Sequence, residues 1–218
     1  MPLQTFQNLD KERQEEIRKV AYREFAMNDY NNASVSNIVK KLNLAKGSFY
    51  RYFENKLDLY SYLLEHATQL RMTSINKLVG TEKTDFFKIL IENFRDKIEF
   101  DIKHPLESVF TYKVLLETNN PEIQHVIVNL KREIFNYVEI LLSEFKEKGV
   151  IRQDIDIQLT AFSVFQIQVG LFDYLTHYKG VDFIKNIEEG KTVFSIDKDE
   201  IMKIVEGMVE LLRIGISE

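Results

Sequence analysis

The chain has 218 residues, 44% of them hydrophobic and 29% charged, with 8 Gly, 3 Pro and no Cys. That balance suits a helix-rich globular protein with a sizeable core in one or two domains, and it excludes a disordered chain, a disulfide framework and thiol chemistry. The net charge of −5 argues against a nucleic-acid binder only until it is mapped: residues 1–56 hold ten Lys and Arg against seven Asp and Glu, a balance of +3, and the remainder carries −8. A basic end on an acidic body is the footprint of a head that faces phosphate.

Residues 1–8 read as a short polar tail. Asp10 can cap a helix running to about Met27, with Ile17, Val20, Ala21 and Phe25 at helical spacing and Lys11, Arg18 and Lys19 on a solvated face. Asp29 to Ala33 is a connection in which Tyr30 plugs the core. Ser34 caps a short helix whose apolar residues Val35, Ile38, Val39 and Leu42 form one buried stripe. Asn tolerates the left-handed conformation, so the chain turns sharply through Asn43 and Leu44. A second helix of barely two turns starts at Ala45, anchored inward by Phe49 and Phe53, with Lys46, Ser48, Tyr50, Arg51 and Tyr52 pointing elsewhere. Two short helices around a tight turn make a helix-turn-helix, whose second helix enters the major groove of DNA. Gly47 inside that helix costs roughly 1 kcal/mol against Ala, and close approach to a partner backbone explains it. Asn55 and Asp58 open the next helix as a variant capping box, with Lys56 at its N-terminus as an anion ligand.

These residues resemble a known family. The string AKGSFYRYFENKLDLY, preceded by SVSNIVKKLNL and AYREFAMNDYNNASV, is similar to the DNA-binding domain of the TetR (tetracycline-repressor-like) transcription regulators. The features that carry the resemblance are the Lys46-Gly47 pair, Tyr50 three residues after the glycine, the aromatic Phe53 and Lys56. It is close over about the first 65 residues and architectural beyond them. Ala45 stands where the family often has Ser, and Tyr52 where it often has His or another polar residue. The candidate DNA-binding set is Ser34, Ser36, Lys46, Gly47, Ser48, Tyr50, Arg51, Tyr52 and Lys56, with Arg51 placed for a guanine edge or a phosphate.

A linking helix spans 55–79 and stops at Gly80, which divides the chain into a DNA-binding domain at 1–56 and an effector-binding and dimerisation domain at 80–218. From Thr84 onward five amphipathic helices follow, giving an all-α fold of about nine helices. The fifth carries Phe87, Leu90, Ile91, Phe94 and Ile98, and Pro105 begins the sixth, which ends near Asn120-Pro121. The seventh, about 27 residues long by its periodicity, stops at Gly149. The eighth covers about Asp156 to Tyr178 and the ninth Asp197 to Ile216, where Asp197 and Glu200 form a capping-box pair. The loop between them holds a helical turn at Asp182 to Ile187. Both last helices carry apolar residues on more than one face, with small residues interspersed, so each is expected to pack on its own chain and on another copy. The resemblance implies the same pairing, a four-helix homodimer interface.

The resemblance also implies a small-molecule effector in the body, and the abundance of Phe and Tyr suggests aromatic walls and an apolar or planar ligand. The candidate lining is Phe94, Phe110, Tyr112, His125, Phe135, Phe165, Gln166 and Tyr174. The four histidines are scattered, so no metal is expected; no phosphate-binding glycine loop, nucleophile elbow or cofactor motif is present. No basic-then-apolar leader or long apolar run occurs, which leads to a cytoplasmic protein with no membrane partner. The leading expectation is a ligand-responsive homodimeric regulator, most often a repressor, on a palindromic double-stranded DNA operator. The alternatives are a dimeric DNA-binding protein controlled by a protein partner, and a helical enzyme or carrier.

Overall fold

The computed structural model describes residues 2–75, 85–117 and 120–217. Eleven helices are present among them: α1 Gln4–Gln7, α2 Lys11–Met27, α3 Val35–Lys41, α4 Lys46–Phe49, α5 Lys56–Ile75, α6 Phe86–Lys103, α7 Pro105–Leu116, α8 Gln124–Glu147, α9 Ile157–Lys179, α10 Phe183–Glu188 and α11 Lys198–Ile216. The only extended pairing among the described residues is an isolated antiparallel bridge between Ile151 and Ser217. The all-α expectation holds, with two short helices beyond the nine. One is α10, at the expected helical turn; the other is α1. The expected end of the linking helix, from Leu78 to Gly80, and Thr84 lie outside the described residues.

Local chemistry explains most boundaries. Asp10, Asp85, Asp156 and Asp182 each accept a backbone N–H in the first turn of the helix that follows, a cap contributing roughly 1 kcal/mol. Pro105 opens α7, where its missing N–H is not needed. Gly149 and Gly180, at φ of 68° and 67°, end α8 and α9 in the left-handed region. One box is not built as expected. Asp197 accepts from Asp199 N–H, but Glu200 turns away to pair with Lys179 of α9 at 2.8 Å.

Residues 2–8 are anchored to the head rather than forming a polar tail. Phe6 on α1 is 1% exposed and packs against Phe53 and Tyr62, while Leu3 N–H donates to the Tyr52 carbonyl at 2.8 Å. A lone aromatic in a polar stretch gives no periodicity, which is why its anchoring role is visible only in three dimensions.

The apolar side chains form two cores. The first collects Phe6, Tyr22, Phe25, Tyr30, Ile38, Phe49, Phe53, Leu59 and Tyr60 from α1 to α5, then continues into Phe110 and Val114 of α7 and Ile127 and Leu130 of α8. The second joins α6, α8, α9 and α11 through Phe94, Ile98, Leu142, Phe145, Val164, Phe172 and Val205. Thus α7 closes the head from below, with Phe110 edge-on to Tyr22 and Tyr60 at ring-centroid separations of 5.5 and 5.1 Å. Arg71 ties α5 to α6 by pairing with Asp96 and donating to the Asn93 carbonyl at 3.2 Å.

Candidate nucleic-acid interface

The head is built on α3 and α4. Ser34 caps α3 by accepting Asn37 N–H at 3.3 Å. Asn43 sits at φ 53° as the one non-glycine residue with positive φ among those described. Around it, Leu44 N–H returns to the Val39 carbonyl at 2.9 Å and Asn43 N–H to Lys40 at 3.1 Å, the paired bonds of a Schellman ending. The turn is therefore rigid, and it fixes where α4 begins. Ala45 offers no side-chain cap, and α4 proper is a single turn, Lys46–Phe49, shorter than the two turns expected. Tighter turns then carry the chain on, with Arg51 N–H on the Ser48 carbonyl and Tyr52 N–H on Phe49. Phe49 and Phe53 are buried at 3% and 1%, the anchors that orient α4.

Around those anchors Gly47, Tyr50 and Arg51 face solvent, with Ser48 and Tyr52 half-buried, and Ser36 is exposed on α3. Tyr50 is 54% exposed although it is aromatic. A Cβ at Gly47 would meet nothing within 4 Å, so no neighbour inside the chain requires the glycine. The Lys46 side chain lies outside what the structure describes. Tyr52 is shared, since its ring leans edge-on against Phe6.

Lys56 departs from its expected role. Its ammonium turns inward, donating to the carbonyls of Tyr30 at 2.7 Å, Ala33 at 3.3 Å and Asn31 at 3.4 Å, and lies 4.4 Å above the Tyr30 ring. An ammonium has three donors, and all three serve the loop before α3. The capping pair beside it forms: Asp58 N–H donates to Asn55 at 2.8 Å and Asp58 accepts Glu54 N–H at 3.2 Å. On the other side of that loop, the Tyr30 hydroxyl donates to Glu122, and Asn120 donates to Asn31 at 3.0 Å. Burial, then the bond to Glu122, pushes the Tyr30 phenol well above its usual range. The loop is clasped between α5 and the start of α8.

The eight candidate effector residues sit in different environments. Phe94, Phe110 and Phe165 are buried in packed cores, Phe110 within the head's aromatic cluster. His125 and Gln166 are exposed. Tyr112 stacks on Phe172 and donates to Asp173 at 2.6 Å, Phe135 packs on Phe165, and Tyr174 stacks on Tyr178. Helical periodicity marks an inward face but not whether that face meets packing or empty space. Gln166 and Tyr174 instead line an open groove over α9 and α11 with Gly170, Asp173, His177 and Met208. Among the described residues, no three His, Asp or Glu side chains are placed to hold a metal. No described helix is long and apolar enough to cross a membrane.

Residues 17–63, the span from α2 to the first turns of α5, match the family model described as bacterial regulatory proteins, tetR family. A TetR family transcriptional regulator from Chloroflexus aurantiacus J-10-FL superposes with a TM-score of 0.81 at 26% identity, covering 100% of this chain and 99% of the other. The head is a tetR-family domain. Such a head is that of a helix-turn-helix transcriptional regulator, and the relatives it matches are named as regulators rather than enzymes. An HTH-type transcriptional regulator of Staphylococcus aureus (strain USA300) is 23% identical over 163 residues, 73% of this chain and 83% of the relative. The fold is also similar to that of the regulator FadR from Bacillus subtilis, determined with stearoyl-CoA, at a TM-score of 0.68, 20% identity and coverage of 91% and 96%.

Within this tetR-family head, one residue escaped the sequence reading. Glu24 of α2 is 2% exposed and accepts from Ser34 N–H, the Asn37 amide and Lys41. Its signal was present, since position 24 falls seven residues after Ile17 and three after Ala21, on the apolar face of α2, where a carboxylate is out of place.

Proposed function

We propose that the chain is a homodimeric regulator, most often a repressor, that reads a palindromic operator. Ser36, Gly47, Ser48, Tyr50 and Arg51 face the duplex, Lys46 lies on its phosphates, and a small apolar effector acting in the body shifts the heads. The observation that supports the dimer is a second apolar stripe outside both cores. Leu159 and Phe162 on α9, and Leu211 and Ile214 on α11, are 65%, 49%, 75% and 73% exposed, while the opposite faces of the same helices are buried. Four large apolar side chains on two neighbouring helices, with Gly170 and Gly207 allowing close approach, call for a two-fold partner that presents the same stripe. Two heads held in this way would meet two half-sites about one DNA turn or more apart.

The apolar character of the effector follows the stearoyl-CoA bound by the similarly folded FadR. A second reading, control by a protein partner without a small molecule, is favoured by the burial of Phe94, Phe110 and Phe165 against other side chains. Selection of sites from random duplex DNA, with the bound species sized, tests the reading. An enriched palindrome bound by a dimer, and released by an acyl-CoA or another apolar ligand, supports it. No enriched sequence overturns the operator assignment, and an operator complex that no apolar ligand releases favours the second reading. Lys46→Ala is expected to weaken binding to all sequences and to lower the salt slope by roughly one unit.

A further inference from the structure

One carboxylate grips both ends of α3. Glu24 Oε1 accepts the backbone N–H of Ser34 at 3.1 Å and the Asn37 side-chain amide at 3.2 Å, and Oε2 accepts the Lys41 ammonium at 3.1 Å. Ser34 is the N-cap of α3 and Lys41 its last residue. In an ordinary capping box the acceptor for the N-cap N–H is the side chain three residues on. That position holds Asn37, which is here a donor to the same oxygen, so the box is completed from α2 instead. Burying a carboxylate is costly unless it is paired and hydrogen-bonded, and an apolar side chain of like volume often serves stability as well. Its negative charge also opposes phosphate in an otherwise basic head. What three directed bonds supply, and apolar packing does not, is a fixed angle and register of α3 on α2. The rigid ending at Asn43 hands that register on to α4. The same carboxylate restrains Lys41, which is 52% exposed but held toward α2.

We propose that Glu24 is a positioning residue for DNA reading: it locks α3 onto α2 at both helix ends and keeps Lys41 off the phosphates, so that α4 approaches the bases in one orientation. This rests on the reading that α3 and α4 face the duplex. The test uses the full chain as wild type, Glu24→Gln, Lys41→Met and the double variant, titrated on labelled random duplex and on the selected site over a range of salt. Glu24→Gln is expected to reduce the ratio of specific to nonspecific affinity by about tenfold or more and to steepen the salt slope on random duplex by about one unit as Lys41 is released. Lys41→Met is expected to leave the wild-type slope unchanged and to remove the added unit in the Glu24→Gln background. An unchanged slope and ratio in Glu24→Gln, or a wild-type slope lowered by Lys41→Met alone, overturns the proposal. If Glu24→Gln does not fold, Lys41→Met decides, because it keeps the bonds to Ser34 and Asn37. If the wild type enriches no site, the operator reading fails, and the random-duplex slopes still decide the role of Glu24.

Discussion

The head and the outer face of the body treat their surfaces in opposite ways. In the head, aromatic rings from α1, α2, α4, α5 and α7 interlock, and polar side chains at the edges are directed at partners: Glu24 at α3, Lys56 at the loop before it, Glu122 at Tyr30. On α9 and α11, a row of large apolar side chains is left about half or more exposed to solvent. The head completes its own core within one chain. The body completes only one side of its last two long helices. Different instructions follow for disturbing each: the head is sensitive to single internal changes, the body face to changes that alter assembly without altering the fold.

The largest effect should come from Phe110→Ala, which removes the ring joining α7 to Tyr22, Phe25 and Tyr60. A loss of about 3–5 kcal/mol is expected in denaturant unfolding, with head and body signals moving together; a head signal that stays in place would separate α7 from the head's core. Next, Leu211→Glu with Ile214→Glu should convert dimer to monomer by sedimentation at unchanged helicity, and lower affinity for a two-half-site operator by about a hundredfold or more. A dimer that survives both charges would move the interface elsewhere. Lys56→Met leaves three carbonyls without a charged donor and should cost about 1–3 kcal/mol of stability. Its salt slope on DNA should match the wild type, whereas a slope lowered by one unit would return Lys56 to the phosphates.

The smallest effect concerns pH. Tyr22 gives its one proton to the Leu63 carbonyl at 2.6 Å, so its oxygen accepts from Nδ1 of His66 at 2.9 Å. Burial, and then the charge of Arg18, lowers the His66 pKa below its ordinary value. The unfolded chain therefore binds the proton more readily, and stability falls as pH drops from about 6.5 toward the folded value. Glu107, whose pKa is raised by burial, works in the opposite direction at lower pH. His66→Gln should flatten the fall in melting temperature between about pH 7 and 5.5, and an unaltered fall would assign the dependence to another group.

Much of the fold was legible because helix ends are decided by neighbours in sequence. Asp10, Ser34, Asn43, Pro105, Gly149 and Asp156 do in three dimensions what their chemistry implied, since a cap or a left-handed residue acts within four positions of itself. Glu200 shows the limit: its local partner was available, but Lys179 of α9 offered an ion pair instead. The outward set on α4 was legible for the same local reason, because Phe49 and Phe53 claim the inward direction and leave Tyr50 and Arg51 the other.

The candidate effector lining was not legible, because residues such as Phe94 and Phe165 read identically whether they border a cavity or fill it. By itself, then, the sequence determined the helices, their caps, the helix-turn-helix and the family resemblance, all of which rest on contacts spanning a few residues. Only the tertiary structure decided that Phe6 anchors the head, that Phe110 belongs to it, that Lys56 turns inward and that Glu24 holds α3. Each of those outcomes depends on which distant group lies within hydrogen-bonding or van der Waals reach, from ten residues away for Ser34 and Glu24 to 92 for Tyr30 and Glu122.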